Sequence, residues 1–347
     1  MNHLKCQIAL LILVGFLFAS TKVFASNNFI PQLTHYTQKM NQCLSCNKPT
    51  YAPINYHIYG NFIFVDGHKL WVEKYGKGSP AVVLLNGGGE TIRQWNKIIP
   101  VVSRYTTVIG YDRQGLGRSE IIDDKPRTSA AVVKRLRIIL KKADVRPPYI
   151  LVAHSIGGLY ASYFARRYPK EIAGLVMVDA NNRYQVHLNE LNTKGLSEQD
   201  KQLLNKIMQD HQHLTQVTQE AKRWLSSQQL SARQHAKLVE DLEVMGKAES
   251  ANELEKAGKL PNIPLIVLVE SETTEGYQLW RRINQQFANE VPCSLYYVVP
   301  KSNHHIMISQ PLVVDQAIKT VALAVRKHQT LCGQSLFPNN RIRKNVR

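Results

Sequence analysis

The stretch Tyr149-Ile-Leu-Val-Ala-His-Ser-Ile-Gly-Gly158 limits what this chain can fold into more than any other. Tyr149 to Ala153 is a run of β-formers, too short for a helix and apolar enough for a buried parallel strand. Small residues then flank a single hydroxyl: Ala153 two before Ser155, Gly157 two after it, and Gly158 beyond. A helical pattern follows from Leu159 to Tyr168 and stops at Pro169. Strand, sharp turn and helix with a serine at the turn lift a hydroxyl clear of a sheet, so Ser155 is the candidate nucleophile. The string small-x-Ser-x-Gly is a weak signal by itself. The strand before it and the helix after it set it apart from an ordinary glycine-rich βα turn.

Other segments alternate in the same way. Phe62–Val65, Asp66-Gly67 and Lys69–Tyr75 predict a β-hairpin with an Asp-Gly turn. Ala81–Leu85 is a buried strand ending in Asn86-Gly-Gly-Gly-Glu90, and Thr107–Asp112 is a strand running into Arg113-Gln-Gly-Leu-Gly-Arg-Ser119. A helix is expected over 129–142, then the strand Gly174–Asp179, the strand Pro264–Val269, a helix around Tyr277–Asn289 and the strand Ser294–Val299. The loop Pro300–Pro311 and a helix to about Lys327 close the pattern, which is that of an α/β fold. Residues 184–260 differ, being rich in Gln, Lys, Glu and His with helical periodicity and no strand-like run. Helices are expected there at about 197–213, 215–228 and 231–245, the last closed by Gly246. The histidines of this insert look like parts of solvated faces, and no metal site is expected.

The elbow segment resembles that of the α/β-hydrolase superfamily, and the resemblance covers roughly Phe62–Ala180 and Pro264–Arg326. It implies a mostly parallel central sheet flanked by helices, with a helical lid insert over the active site. By position it implies an oxyanion hole made of the Gly88 and Ile156 backbone N–H groups, although Asn86 stands where the family usually has His. Arg113–Ser119 with Asp112 resembles the family's Asp-Arg-x-Gly-x-Gly-x-Ser turn, read as structural, with Asp112 and Arg113 supplying an ion pair and backbone hydrogen bonds. Pro300–Pro311 resembles the catalytic-histidine loop, which makes His304 the base and His305 its neighbour, with Asn303 in place of a common Gly. The family's usual acid position follows the strand ending at Val269, where Glu270, Glu272 and Glu275 stand. A minority of members place the acid where Asp179 sits, and Asp179 is the first choice, with Glu272 and then Glu270 behind it.

The ends of the chain bear on location. Lys5, an apolar run from Ile8 to Phe18 and the small residues of Val23-Phe-Ala25 predict a signal peptide cleaved after Ala25, hence a secreted or periplasmic protein. Cleavage removes Lys5 and Lys22 and no acid, so the formal charge falls from +18 to +16. That charge favours peripheral attraction to an anionic membrane or envelope, whereas the basic residues are too scattered and motif-free for nucleic-acid binding. In an oxidising compartment Cys43, Cys46, Cys293 and Cys332 allow three pairings, which the sequence does not decide. The favoured one joins Cys293 to Cys332, with Cys43–Cys46 as a small local loop.

The segments then read as signal peptide 1–25, N-terminal extension 26–60, hydrolase core 61–182, lid 183–262, core 263–330 and basic tail 331–347. The resemblance implies a serine hydrolase, carboxylesterase- or lipase-like, that cleaves an ester or small amide without metal or cofactor. The alternatives are a proline-iminopeptidase-like aminopeptidase and, from another class, a non-catalytic binding protein on the same fold.

Overall fold

In a computed structural model of the chain, which describes residues 60–120, 127–185, 197–199, 201–202, 242–243, 246–247, 249–271 and 277–336, eight strands form one sheet. β1 (Gly60–Val65) and β2 (His68–Tyr75) pair antiparallel with Val65 opposite His68, so Asp66 and Gly67 alone make the turn. Their φ angles of 51° and 84° are those a two-residue hairpin of this hand needs, which is why Asp-Gly stands here. β3 (Ala81–Leu85), β4 (Val108–Tyr111), β5 (Tyr149–His154), β6 (Ile172–Val178), β7 (Leu265–Val269) and β8 (Leu295–Val298) complete the order β1-β2-β4-β3-β5-β6-β7-β8. From β4 to β8 every pairing is parallel.

Four helices of the expected kind alternate with or follow these strands along the chain: α1 (Ser129–Lys142), α2 (Gly157–Arg167), α3 (Tyr277–Ala288) and α4 (Pro311–Arg326). Thr128 caps α1 by accepting from the Ala131 N–H at 3.3 Å. Val314, Ile318 and Val321 of α4 pack with Ile150, Val152, Val176 and Val178, which share one face of the sheet because side chains alternate along a strand. On the other face Phe164 of α2 meets Tyr149, ring centroids 6.2 Å apart. Covered on both sides, β3, β4, β5 and β7 are buried at every residue, which explains their unbroken apolar runs. Each such Val, Leu or Ile contributes about 1.5–3 kcal/mol of burial free energy. Parallel strands also send the chain out at one edge, so the loops after β3, β5, β6, β7 and β8 gather beyond their carboxyl ends.

Contacts divide the chain into two units, the larger comprising Tyr56–Leu191, Leu230–Ser271 and Ile283–Arg347. This unit contains the whole sheet. The smaller takes Met1–Asn55, Asn192–Gln229 and Glu272–Arg282, of which 197–199, 201–202 and 277–282 are described. The expected signal peptide, Cys43, Cys46, Glu272, Glu275, most of the expected lid and the end of the basic tail lie outside the described residues. Cys293 and Cys332 are joined, their Cα atoms 4.6 Å apart. Among the described residues no helix is long and apolar enough to cross a membrane.

One expected boundary is corrected. Gly246 does not close a helix: the backbone is helical at 246–247 and at 249–256. A Cβ on Gly246 would stand 2.4 Å from the carbonyl oxygen of Arg127, so glycine is there to let another backbone pass. The glycine beyond the helix end is Gly258, with φ of 92°.

Candidate active site

Ser155 sits between the end of β5 and the first turn of α2 with φ of 49°, in the left-handed region that L-residues rarely adopt. Its surroundings hold it there. The Ser155 carbonyl accepts from the N–H groups of Gly158 at 2.9 Å and Asn181 at 2.8 Å. A Cβ on Gly157 would lie 2.7 Å from the Leu85 carbonyl oxygen, so glycine alone lets the end of β3 pass this turn. The Ser155 hydroxyl donates to Asn181 Oδ1 at 3.3 Å, and no hydrogen bond joins it to His304. Rotation about the Cα–Cβ bond is all that redirects such a hydroxyl.

Asp179 follows β6 and also takes a positive φ, 44°. Its Oδ2 lies 2.6 Å from His304 Nδ1, and its Oδ1 accepts from the Glu270 N–H at 3.1 Å. An ionised carboxylate can only accept, so His304 Nδ1 carries the hydrogen and the neutral ring presents its lone pair at Nε2. Burial pulls the His304 pKa down, but the hydrogen bond and charge of Asp179, with Glu270 and Glu90 further off, outweigh it and raise it above 6.5. Of the acids weighed from the sequence, Asp179 makes the histidine contact, Glu270 supports it through its backbone, and Glu272 lies outside the described residues.

The glycine loop after β3 is held from two sides. Asn86 is buried, donating to the Tyr111 carbonyl at 2.9 Å and accepting from the Trp95 indole at 3.0 Å. Arg113 donates to the carbonyls of Asn86 at 2.8 Å and Gly87 at 2.6 Å. Because a trans peptide is planar, fixing the Gly87 carbonyl also fixes the Gly88 N–H, which points the opposite way. The Gly87 N–H goes to Glu90 at 3.1 Å and the Gly89 N–H to Glu243 at 2.7 Å. Gly88 is exposed beside the Ile156 side chain, and neither its N–H nor that of Ile156 meets an acceptor among the described residues.

The expected Asp112–Arg113 ion pair is not formed. Neighbours at the end of a strand point to opposite sides, so Asp112 accepts from the N–H groups of Ile92 at 2.8 Å and Arg118 at 3.2 Å. Arg113 instead pairs with Glu243, both buried, at 2.5 Å. Sequence reasoning passed over Glu243, Asn181, Glu90 and His154. Glu90 binds both His154 Nδ1, at 3.0 Å, and His305 Nε2, at 2.5 Å. Burial alone would push the Glu90 carboxyl up, but the two imidazoles outweigh it and hold it well below the usual carboxylate range. Burial dominates at His154 and lowers its pKa despite Glu90. His154 Nε2 lies 3.0 Å from the His304 carbonyl oxygen, beneath the candidate base.

Comparisons with known proteins agree with this architecture. A family model described as alpha/beta hydrolase fold matches residues 80–311. Among curated relatives, the uncharacterized protein YbdG of Bacillus subtilis is 34% identical over 122 residues, a match that spans only 35% of this chain and 37% of that protein. The uncharacterized protein YqjL of the same bacterium is 25% identical over 253 residues, covering 72% of this chain and 86% of its own. A solved structure of a serine hydrolase involved in carbazole degradation superposes with a TM-score of 0.51 at 18% identity, over 79% of this chain and 100% of that one, which is a likeness of fold alone. With its sheet order, its elbow turn and this match over two-thirds of its length, the chain belongs to the α/β-hydrolase superfamily.

Proposed function

We propose that this protein is an exported serine hydrolase that cleaves a carboxylic ester or small amide through an acyl-enzyme. The observation that carries the reading is the Asp179–His304 hydrogen bond of 2.6 Å, at the same sheet edge as Ser155 on its left-handed turn. A serine hydroxyl at its ordinary pKa is a poor nucleophile, so a base must take its proton as it attacks. His304 Nε2 is that base, and Asp179 holds the ring in the tautomer that leaves Nε2 free and stabilises the imidazolium. The Ser155 Oγ–acyl bond forms as the carbonyl π bond opens onto oxygen. The N–H groups of Gly88 and Ile156 receive that oxyanion, each such donor being worth about 2.7–4 kcal/mol of barrier. The intermediate then expels the alcohol or amine, which leaves with the proton from His304. Water repeats the sequence to release the acid and restore Ser155.

The aminopeptidase reading needs a free carboxylate over the site for the substrate's ammonium. Among the described acids of the insert, Glu243 reaches the glycine loop but is already bound to Arg113 and the Gly89 N–H, so it is not the free carboxylate that reading needs. A binding protein on this fold would not need the free Gly88 and Ile156 donors. Export rests on the residues before Ala25 and would bring a chain of formal charge +16 to an anionic envelope. The test is turnover of p-nitrophenyl esters of rising chain length beside a prolyl arylamide, using the purified mature chain. Ester turnover that disappears in Ser155→Ala is expected. Prolyl-amide turnover without ester turnover would move the protein to the aminopeptidases, and turnover of neither would leave the binding reading.

A further inference from the structure

Glu90, His154 and His305 stand 64 and 151 positions apart along the chain, yet their ligand atoms all lie within 4.8 Å of one another. We propose that these three side chains bind a divalent transition-metal cation of the zinc class, which ties the loop of His304 to the loop of Glu90. The tautomer of His154 points to a cation. Its Nε2 lies 3.0 Å from the His304 carbonyl, which can only accept, so Nε2 bears the hydrogen and a neutral ring turns the Nδ1 lone pair inward. That lone pair faces Glu90 Oε2 at 3.0 Å, acceptor against acceptor, unless a proton or a cation stands between them. The Gln94 amide nitrogen, 3.2 Å from the same ring nitrogen, donates both to it and to Glu90 Oε2, and is the protein's own alternative to a cation at these two acceptors.

A ring N–H donated to a backbone carbonyl is also how metal-binding histidines are oriented and made more basic. The second imidazole, His305 Nε2, lies 2.5 Å from Glu90 Oε1. Two imidazoles and one carboxylate are a zinc donor set, and water can complete four-coordination because His305 is 37% and Glu90 23% exposed. Zinc bond lengths near 2.0–2.2 Å put tetrahedral ligand atoms about 3.3 Å apart, so both contacts need to widen by less than about 1 Å. The consequence falls on the candidate base. His154 holds the carbonyl of His304 and His305 is the next residue, so the cation fixes the peptide that follows His304. The site is independent of what Ser155 does.

The test titrates zinc chloride into the untagged, metal-free mature protein by calorimetry, beside His305→Gln, Glu90→Gln and Asp179→Asn, each checked for folding by its melting curve without zinc. One ion per chain is expected, with micromolar or tighter affinity and a raised melting temperature. Both His305→Gln and Glu90→Gln should weaken binding at least about tenfold, and Asp179→Asn should bind as the parent does. No binding, or binding that His305→Gln and Glu90→Gln leave intact, overturns the proposal. Loss in Asp179→Asn alone does so too, because it puts the ion on the other cluster formed by Asp179, Glu270 and His304.

Discussion

Two carboxylate–histidine contacts lie within one sheet edge of each other, and they differ in what the second ring nitrogen does. At Asp179–His304 the carboxylate takes Nδ1 and leaves Nε2 open, and the imidazole pKa is raised. At Glu90–His154 both ring nitrogens are engaged, the ring is buried, and its pKa is lowered. In the proposed mechanism the first arrangement makes a base that takes a proton from a hydroxyl. The second makes a strut, or a ligand. The same two groups, a carboxylate and an imidazole, are thus proposed to serve different chemistry, with the partner of the far nitrogen deciding which.

The sharpest way to break this contrast is to remove the groups assigned to chemistry. Ser155→Ala and His304→Ala are each expected to lower ester turnover by roughly 10⁴-fold or more, with melting little changed. Next come the two acids, mutated alike: Asp179→Asn should cost about 10³–10⁴-fold in kcat, because the amide can donate to Nδ1 and hold the wrong tautomer. Glu90→Gln should cost less than about tenfold. Equal losses in the two would mean that the far nitrogen does not decide the role.

Glu243 belongs to neither contact, and its removal should act on stability first. Glu243→Ala leaves the buried Arg113 guanidinium without its partner and should destabilise the fold by about 3–5 kcal/mol, read by urea unfolding. The smallest effect is a shift in pH profile. The base works only when neutral, so activity should fall as pH drops through the His304 pKa, with a midpoint above 6.5. In Asp179→Asn the chief raising influence is gone and burial lowers the pKa, so the residual activity's midpoint should move to lower pH.

Much of this was legible from the chain. Unbroken apolar runs such as Tyr149–Ala153 and Leu265–Val269 mark strands covered on both faces, and Asp66-Gly67 marks its turn because few other pairs accept both positive φ angles. Ser155 and Asp179 were readable from where their strands end. Glu243 was not, since its partner Arg113 lies 130 positions away and nothing local distinguishes it from the solvated acids of the insert. Gly246 misled for a related reason: a glycine stops a helix or admits a neighbour, and only the position of Arg127 tells which. Glu90 and His154 were hidden by their neighbours, one closing a glycine loop and the other preceding the serine.

Labelling with a fluorophosphonate probe tests the central claim most directly, with the modified residue mapped by mass spectrometry in the parent, His304→Ala and Asp179→Asn. The proposed serine-hydrolase mechanism predicts one label per chain, on Ser155, nearly absent in His304→Ala and strongly slowed in Asp179→Asn. A folded parent chain that takes no label, or takes it at the same rate in all three, would contradict it.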